Sequence, residues 1–193
     1  MAALALARIG DTRPALDIAT ELHREHPLDT LLNSYWIPTV RAAVELHKEN
    51  PSEAIKLLQV VTPYELSLQP TATFIFPYPA YVRGMAYLQA GQGHEAEVEF
   101  QKILDHPGMV LNCSLGALAH LELGRAYPLE AGIQLTHGAR HVTDQPRFLQ
   151  ASQEPNALAK ARASYEDFFA LWKNADSGTP VLNQAKAEYA KLK

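Results

Sequence analysis

Residues 80–107, AYVRGMAYLQAGQGHEAEVEFQKILDHP, constrain the rest of the chain most. Gly84 is followed by Tyr87, Gly91, Ala96, Phe100, Ile103 and Pro107. Val82, Met85, Ala86 and Tyr87 fall at helical spacing before the Gly91-Gln92-Gly93 turn, and Ala96, Phe100, Ile103 and Leu104 do so after it. Small residues at Gly84 and Ala96 let two antiparallel helices approach, and Tyr87 and Phe100 fill the space beside them. One such hairpin cannot bury its own apolar faces, so further helix pairs must stack on it.

The chain supplies them. A shortened first unit covers 1–27, with a helix of about two turns at Ala2 to Ile9 and a second at about 12–25. That second helix carries Ala15, Ile18, Ala19 and Leu22 on one stripe. Gly10 precedes Ala15 by five residues, as Gly91 precedes Ala96. Unit two covers 28–60. Asp29 or Thr30 caps its first helix, and Pro38 should kink or break it. Asn50-Pro51, with Glu53 three residues after Asn50, starts its second helix in the manner of a capping box. Residues 61–79 hold Pro63, Pro70, Pro77 and Pro79 among Tyr64, Phe74, Phe76 and Tyr78. They read as a packed loop, either a plug over helix ends or one wall of a groove. Unit three is 80–107. Unit four, 112–174, repeats the first-helix signature at Leu123-Gly124 and Tyr127, but Ala161, the counterpart of Ala96, arrives 34 residues after Tyr127. Residues 128–156, broken by Pro128, Pro146 and Pro155, are therefore an insertion. A last helix at 180–192 offers Leu182, Ala185, Tyr189 and Leu192 as a solvating cap. The whole of 1–193 reads as one all-α domain: a right-handed solenoid of about four helix pairs plus a capping helix, cut from a longer array.

Charge and cysteine usage exclude several classes. A net charge of -4 gives no electrostatic footprint for nucleic acid. A single cysteine, Cys113, rules out an intrachain disulfide framework and suits a cytoplasmic, reducing setting; beside an apolar helix start it reads as a buried, inert thiol. No apolar run approaches the roughly 18 residues of a membrane span.

The small-residue, aromatic, alanine, aromatic and closing-proline order of 80–107 is the tetratricopeptide pattern. Its spacing here is long: Ala15, Ala54 and Ala96 stand 39 and 42 residues apart, against about 34 for that repeat and about 40–47 for HEAT-type repeats. The segments PLDTLLNSYWIPTVRAAVEL, NPSEAIKLL, TPYEL, YPAYVRGMAYLQAGQGHEAEVEFQKILDHPG, GALAHLELGRAY, KARASYEDFFALWKNAD and QAKAEYAKLK together resemble the tetratricopeptide region at the C-terminus of acidobacterial eukaryotic-like Ser/Thr protein kinases and related winged-helix regulators. The resemblance covers nearly everything except 128–156. It implies a sensing or scaffolding region of a larger bacterial signalling or regulatory protein. No Gly-rich phosphate loop, catalytic lysine, His-Arg-Asp or Asp-Phe-Gly segment is present, so kinase activity does not transfer.

The functional expectation is non-enzymatic: protein or peptide binding in an apolar concave groove lined by Trp36, Thr39, Leu46, Tyr78, Tyr81, Met85, Leu88, Leu121 and Arg125. Arg83 and Arg125 are the nearby cations, each read as a surface salt-bridge partner. No catalytic residue, metal ligand or cofactor is assigned. Glu95, Glu97 and Glu99 alternate along a helix and cannot share one face, which argues against a paired-carboxylate site. His23 and His26 at a helix end suit its dipole better than a metal. A rival reading places small-molecule binding or hydrolysis on the insertion, using His137, His141 and Asp144. The long insertion would also permit exchange between chains in a homodimer, or occupation of the groove in cis.

Overall fold

The computed structural model describes residues 1–66, 77–110, 113–132 and 154–192, and all the regular structure among them is helical. The chain divides into two compact units, Met1–Gln89 and Ala90–Lys193. The division falls at the turn inside the hairpin expected at 80–107. Each half has a central helix on which its own apolar stripes close.

In the first unit α1 (Ala2–Ile9) and α2 (Thr12–Glu25) pack on each other and on α3 (Ile37–His47). α4 (Pro51–Leu57) and α5 (Tyr78–Gln89) complete the unit around α3. α3 buries Ile37, Pro38, Thr39, Val40, Ala42, Ala43 and Val44. A helix apolar on nearly all sides can only sit at the centre of its unit. Ala3, Leu4, Ala7, Ala15, Ala19, Leu58, Val61, Val82 and Ala86 close around it. Gly10 ends α1 at φ 90°, a left-handed conformation that costs an ordinary side chain 1–2 kcal/mol or so.

Local rules for this unit hold at some positions and are corrected at others. Asp29 accepts a 2.8 Å bond from the Leu32 amide, the N-cap geometry expected of it. Pro38 stands in the first turn of α3, where the helix changes register, the break expected of it. The turn before it, Leu32–Trp36, widens to the π-helical register, with the Ile37 amide bonded to the Leu32 carbonyl. The Tyr35 carbonyl is taken by the Thr39 hydroxyl at 2.6 Å. Widening lets the chain pass a residue with no N–H while staying helical. The capping box at Asn50 does not form: its side chain donates instead to Glu45 at 3.1 Å, and Glu53 pairs with Lys56. Of the loop at 61–79, Gln59–Tyr64 is a 3₁₀ helix that contains Pro63, and Pro70, Phe74 and Phe76 lie outside the described residues.

The second unit is built on α8 (Ser114–Glu130), which packs against α6 (Gly93–Leu104) and α9 (Glu154–Leu171). The short α7 (Pro107–Val110) joins α6 to this group, and α10 (Pro180–Ala190) covers α9. Phe100, Tyr165 and Phe168 are fully buried, each contributing roughly 1.5–3 kcal/mol through the apolar surface removed from water. Gly124 lies against Tyr165; a Cβ there would stand 2.6 Å from the ring. This close approach is the role expected of a small residue between paired helices, and it joins α8 to α9 across the long connection. Pro128 does not stop α8, which continues to Glu130 with Pro128 and Ala131 buried. Leu182 and Ala185 on α10 and Leu192 just beyond it are buried as expected of a cap, Tyr189 is half-buried, and Glu188 is buried as well.

Candidate functional site

Among the described residues of the second unit, α6, α7, α8 and α9 wall a partly open cavity of about 930 Å³. Ile103, Leu104, Val110, Leu123, Leu171 and Trp172 supply its apolar wall. They converge because α6 and α9 flank α8 and each turns one stripe inward. Trp172 rests on Phe168 with ring centroids 5.0 Å apart, which holds the indole in place. Leu171 is 60% exposed, large for a leucine beside an apolar space. Cys113 also lines the cavity and is half-buried, not sealed in the core as its sequence context suggested.

The ionisable pair in this wall is His120 on α8 and Asp167 on α9, with 3.5 Å between Nδ1 and Oδ2. Partial burial pushes the His120 imidazole below its ordinary value, and Asp167 only partly offsets this. The unfolded chain therefore takes up this proton more readily than the folded one. Above the ordinary imidazole range His120 contributes nothing to the pH dependence. As pH falls from about 6.5 toward the lowered folded value, stability is lost. Thermal unfolding across this range should fall less steeply for His120→Asn than for the parent; parallel profiles would refute the assignment.

A second cluster stands at the junction of α6 and α8. His94 and Glu97 lie one turn apart on α6, and Glu130 ends α8. His94 Nδ1 is 3.3 Å from Glu130 Oε1. One ligand-type atom from each of the three lies within 4.8 Å of the other two. Desolvation raises the Glu97 carboxyl; Lys160, 3.6 Å away, opposes this, while a hydrogen bond to Glu130 reinforces it. Lys160 also sits over the Tyr127 ring, 4.8 Å from its centroid. The junction depends on Gly93. A Cβ on Gly93 would stand 2.3 Å from the Glu130 nitrogen and 2.9 Å from the Ala126 carbonyl oxygen.

No family model, curated protein or solved structure gives a significant match to this chain. Its sites are therefore read from geometry.

The residues expected to line a groove are divided between the two units: Trp36, Thr39, Leu46, Tyr78, Tyr81, Met85 and Leu88 belong to the first, Leu121 and Arg125 to the second. Thr39, Tyr81 and Leu121 are buried. Tyr81 carries the Arg8 guanidinium over its ring at 5.1 Å. Trp36, Leu46 and Tyr78 are half-buried against the core of the first unit, with Trp36 and Tyr78 6.3 Å apart. Met85 and Leu88 are half-buried on α5. Arg125 pairs with Glu122 and Glu188, and Arg83 pairs with Glu65. Both arginines are ion-paired as expected, but within the fold instead of on its surface. His23 bonds through Nδ1 to the Asn33 side chain. His137, His141 and Asp144 lie outside the described residues.

Sequence reasoning missed both the cavity and the cluster. His94-x-x-Glu97 is legible as one turn of helix, but Glu130 comes 33 residues after Glu97. Nothing local in the sequence marks Leu171 and Trp172 as cavity wall.

Proposed function

We propose that the chain is a non-catalytic interaction module of the tetratricopeptide-like, right-handed helical-repeat kind, and that its second unit seats an apolar segment of a partner protein. The observation that carries this reading is the α6–α9 cavity, whose apolar wall includes an exposed leucine. Space of this size exceeds what one side chain fills and suits two or three anchors along one face of a helix. Asp167, 63% exposed in the same lining, supplies negative charge. The occupant is accordingly an amphipathic segment bearing a Lys or Arg beside its apolar anchors. Gly124 against Tyr165 supports the repeat reading, because it sets a small residue of one helix against an aromatic of its pair. Residue types and their order supply the likeness to bacterial signalling proteins.

Selection of a displayed random-peptide library on the purified chain tests this. Enriched peptides should combine apolar residues at helical spacing with a cation. Leu171→Glu should weaken their binding about 30-fold, the scale of a 2 kcal/mol interface anchor. Asp167→Lys should shift selection toward acidic peptides. Peptides that bind Leu171→Glu and Asp167→Lys as they bind the parent would place the binding surface elsewhere.

A further inference from the structure

We propose that His94, Glu97 and Glu130 bind a divalent transition-metal cation, with Zn²⁺ the best chemical fit. The set offers one imidazole nitrogen and two carboxylates, a combination suited to Zn²⁺ and its neighbours. Ca²⁺ and Mg²⁺ prefer all-oxygen shells. Ligands at about 2.1 Å from a tetrahedral ion stand about 3.4 Å from one another. His94 Nδ1 and Glu130 Oε1 already stand at 3.3 Å, and Glu97 brings an oxygen within the 4.8 Å circle. Both His94 and Glu130 are exposed at the surface, 68% and 42% by side chain, so an ion can reach them and their rotamers can adjust. The backbones cannot drift apart, because Gly93 sets the start of α6 directly on the last turn of α8. Three protein ligands leave a coordination position for water or for a donor from elsewhere.

Lys160 is the built-in competitor. Its ammonium lies 3.6 Å from Glu97 and is 47% exposed. It stands where a metal would otherwise supply the positive charge. Metal binding must displace it or work against it, so its removal should favour the ion. A merely structural carboxylate pair makes no such prediction.

The test is calorimetric titration of Zn²⁺ into the full chain near neutral pH. The chain has eight histidines, so the titration uses a His137→Ala/His141→Ala background, in which one Zn²⁺ should bind. In that background His94→Ala and Glu130→Gln should each lower affinity at least about tenfold, since even outer-shell partners of a metal are worth that much. Lys160→Met should raise it. Circular dichroism without metal checks that every variant is folded; both ligand substitutions are at exposed side chains. No binding by the background protein overturns the proposal. So does background-level affinity in either His94→Ala or Glu130→Gln, or a fall in affinity in Lys160→Met.

Discussion

Gly93→Ala is expected to destabilise the second unit by about 2–4 kcal/mol. The added methyl would meet the Glu130 nitrogen at 2.3 Å, its Cα at 2.7 Å and the Ala126 carbonyl oxygen at 2.9 Å. These are backbone atoms of α8, the helix on which α6 and α9 pack, so no rotamer change relieves the overlap. The two helices must separate or slide, and Ala96, Phe100 and Ile103, all fully buried, lose packing as they do. Alanine is the better helix former in a helix interior by roughly 0.5–1 kcal/mol. Gly93 opens its helix, where that advantage is smaller. For a unit of this size the loss corresponds to a fall of about 10–20 °C in melting temperature. Gly108→Ala is the control, because a Cβ there meets nothing within 4 Å. If both variants melt with the parent, the close approach of α6 and α8 is not what holds their junction. The same substitution should also weaken Zn²⁺ binding in the calorimetric test, since it spreads the backbones that carry the ligands.

The sequence made the helices legible and left their meeting places obscure. Stripes such as Ala15/Ala19 and Ala161/Tyr165/Phe168 are buried as their spacing suggested, because helical period is a local property. The effect of proline depends on what surrounds it. At Pro38 the helix changes register after a widened turn, whereas Pro128 lies buried inside α8, which continues past it. Reading Pro128 as a breaker had a consequence. Ending α8 at Tyr127 removed Glu130 from the helix, and with it the third member of the cluster at His94 and Glu97. The alternation of Glu95, Glu97 and Glu99 was sound as far as it went. Glu95 is exposed, Glu97 turns to Glu130, and Glu99 is buried beside Lys102. The carboxylate that pairs with Glu97 comes from another helix, and no spacing rule within α6 could name it. Three of the residues expected along a groove are buried, for a related reason. A helical stripe marks one face as buried, but Thr39, Tyr81 and Leu121 show that being on an inward face need not mean lining an open surface.

Arg125→Met should cost the second unit about 3–5 kcal/mol, the usual result of removing one partner from a buried charge network. Arg125 donates from Nη1 to both oxygens of Glu122, at 2.9 and 3.0 Å, and through Nε and Nη2 to both oxygens of Glu188, at 2.9 and 3.2 Å. Glu122 and Glu188 are each only 3% exposed. Without the guanidinium, two carboxylates are left close together and out of water. Their remaining donors include the Tyr165 hydroxyl and the Gln184 amide, both to Glu188 at 2.8 Å. Neither supplies charge. The two acids hold the Arg125 proton more firmly than usual, although burial opposes this, so no accessible pH relieves the network by neutralising the base. Lysine is a poor substitute, because a point charge cannot divide its donors between two carboxylates as the planar fork does. Arg125→Lys should therefore lose part of the stability that Arg125→Met loses. Replacing all three charges, as Arg125→Met with Glu122→Leu and Glu188→Met, should recover much of it, since buried ion clusters are often matched by apolar side chains of similar size. Chemical denaturation of the parent and these three variants gives the comparison. The pattern separates a fold-holding arginine, tying α8 to α10, from a partner-binding one. An Arg125→Met chain that unfolds with the parent yet loses its selected peptides would return Arg125 to the binding surface and leave α10 held by its apolar side chains alone.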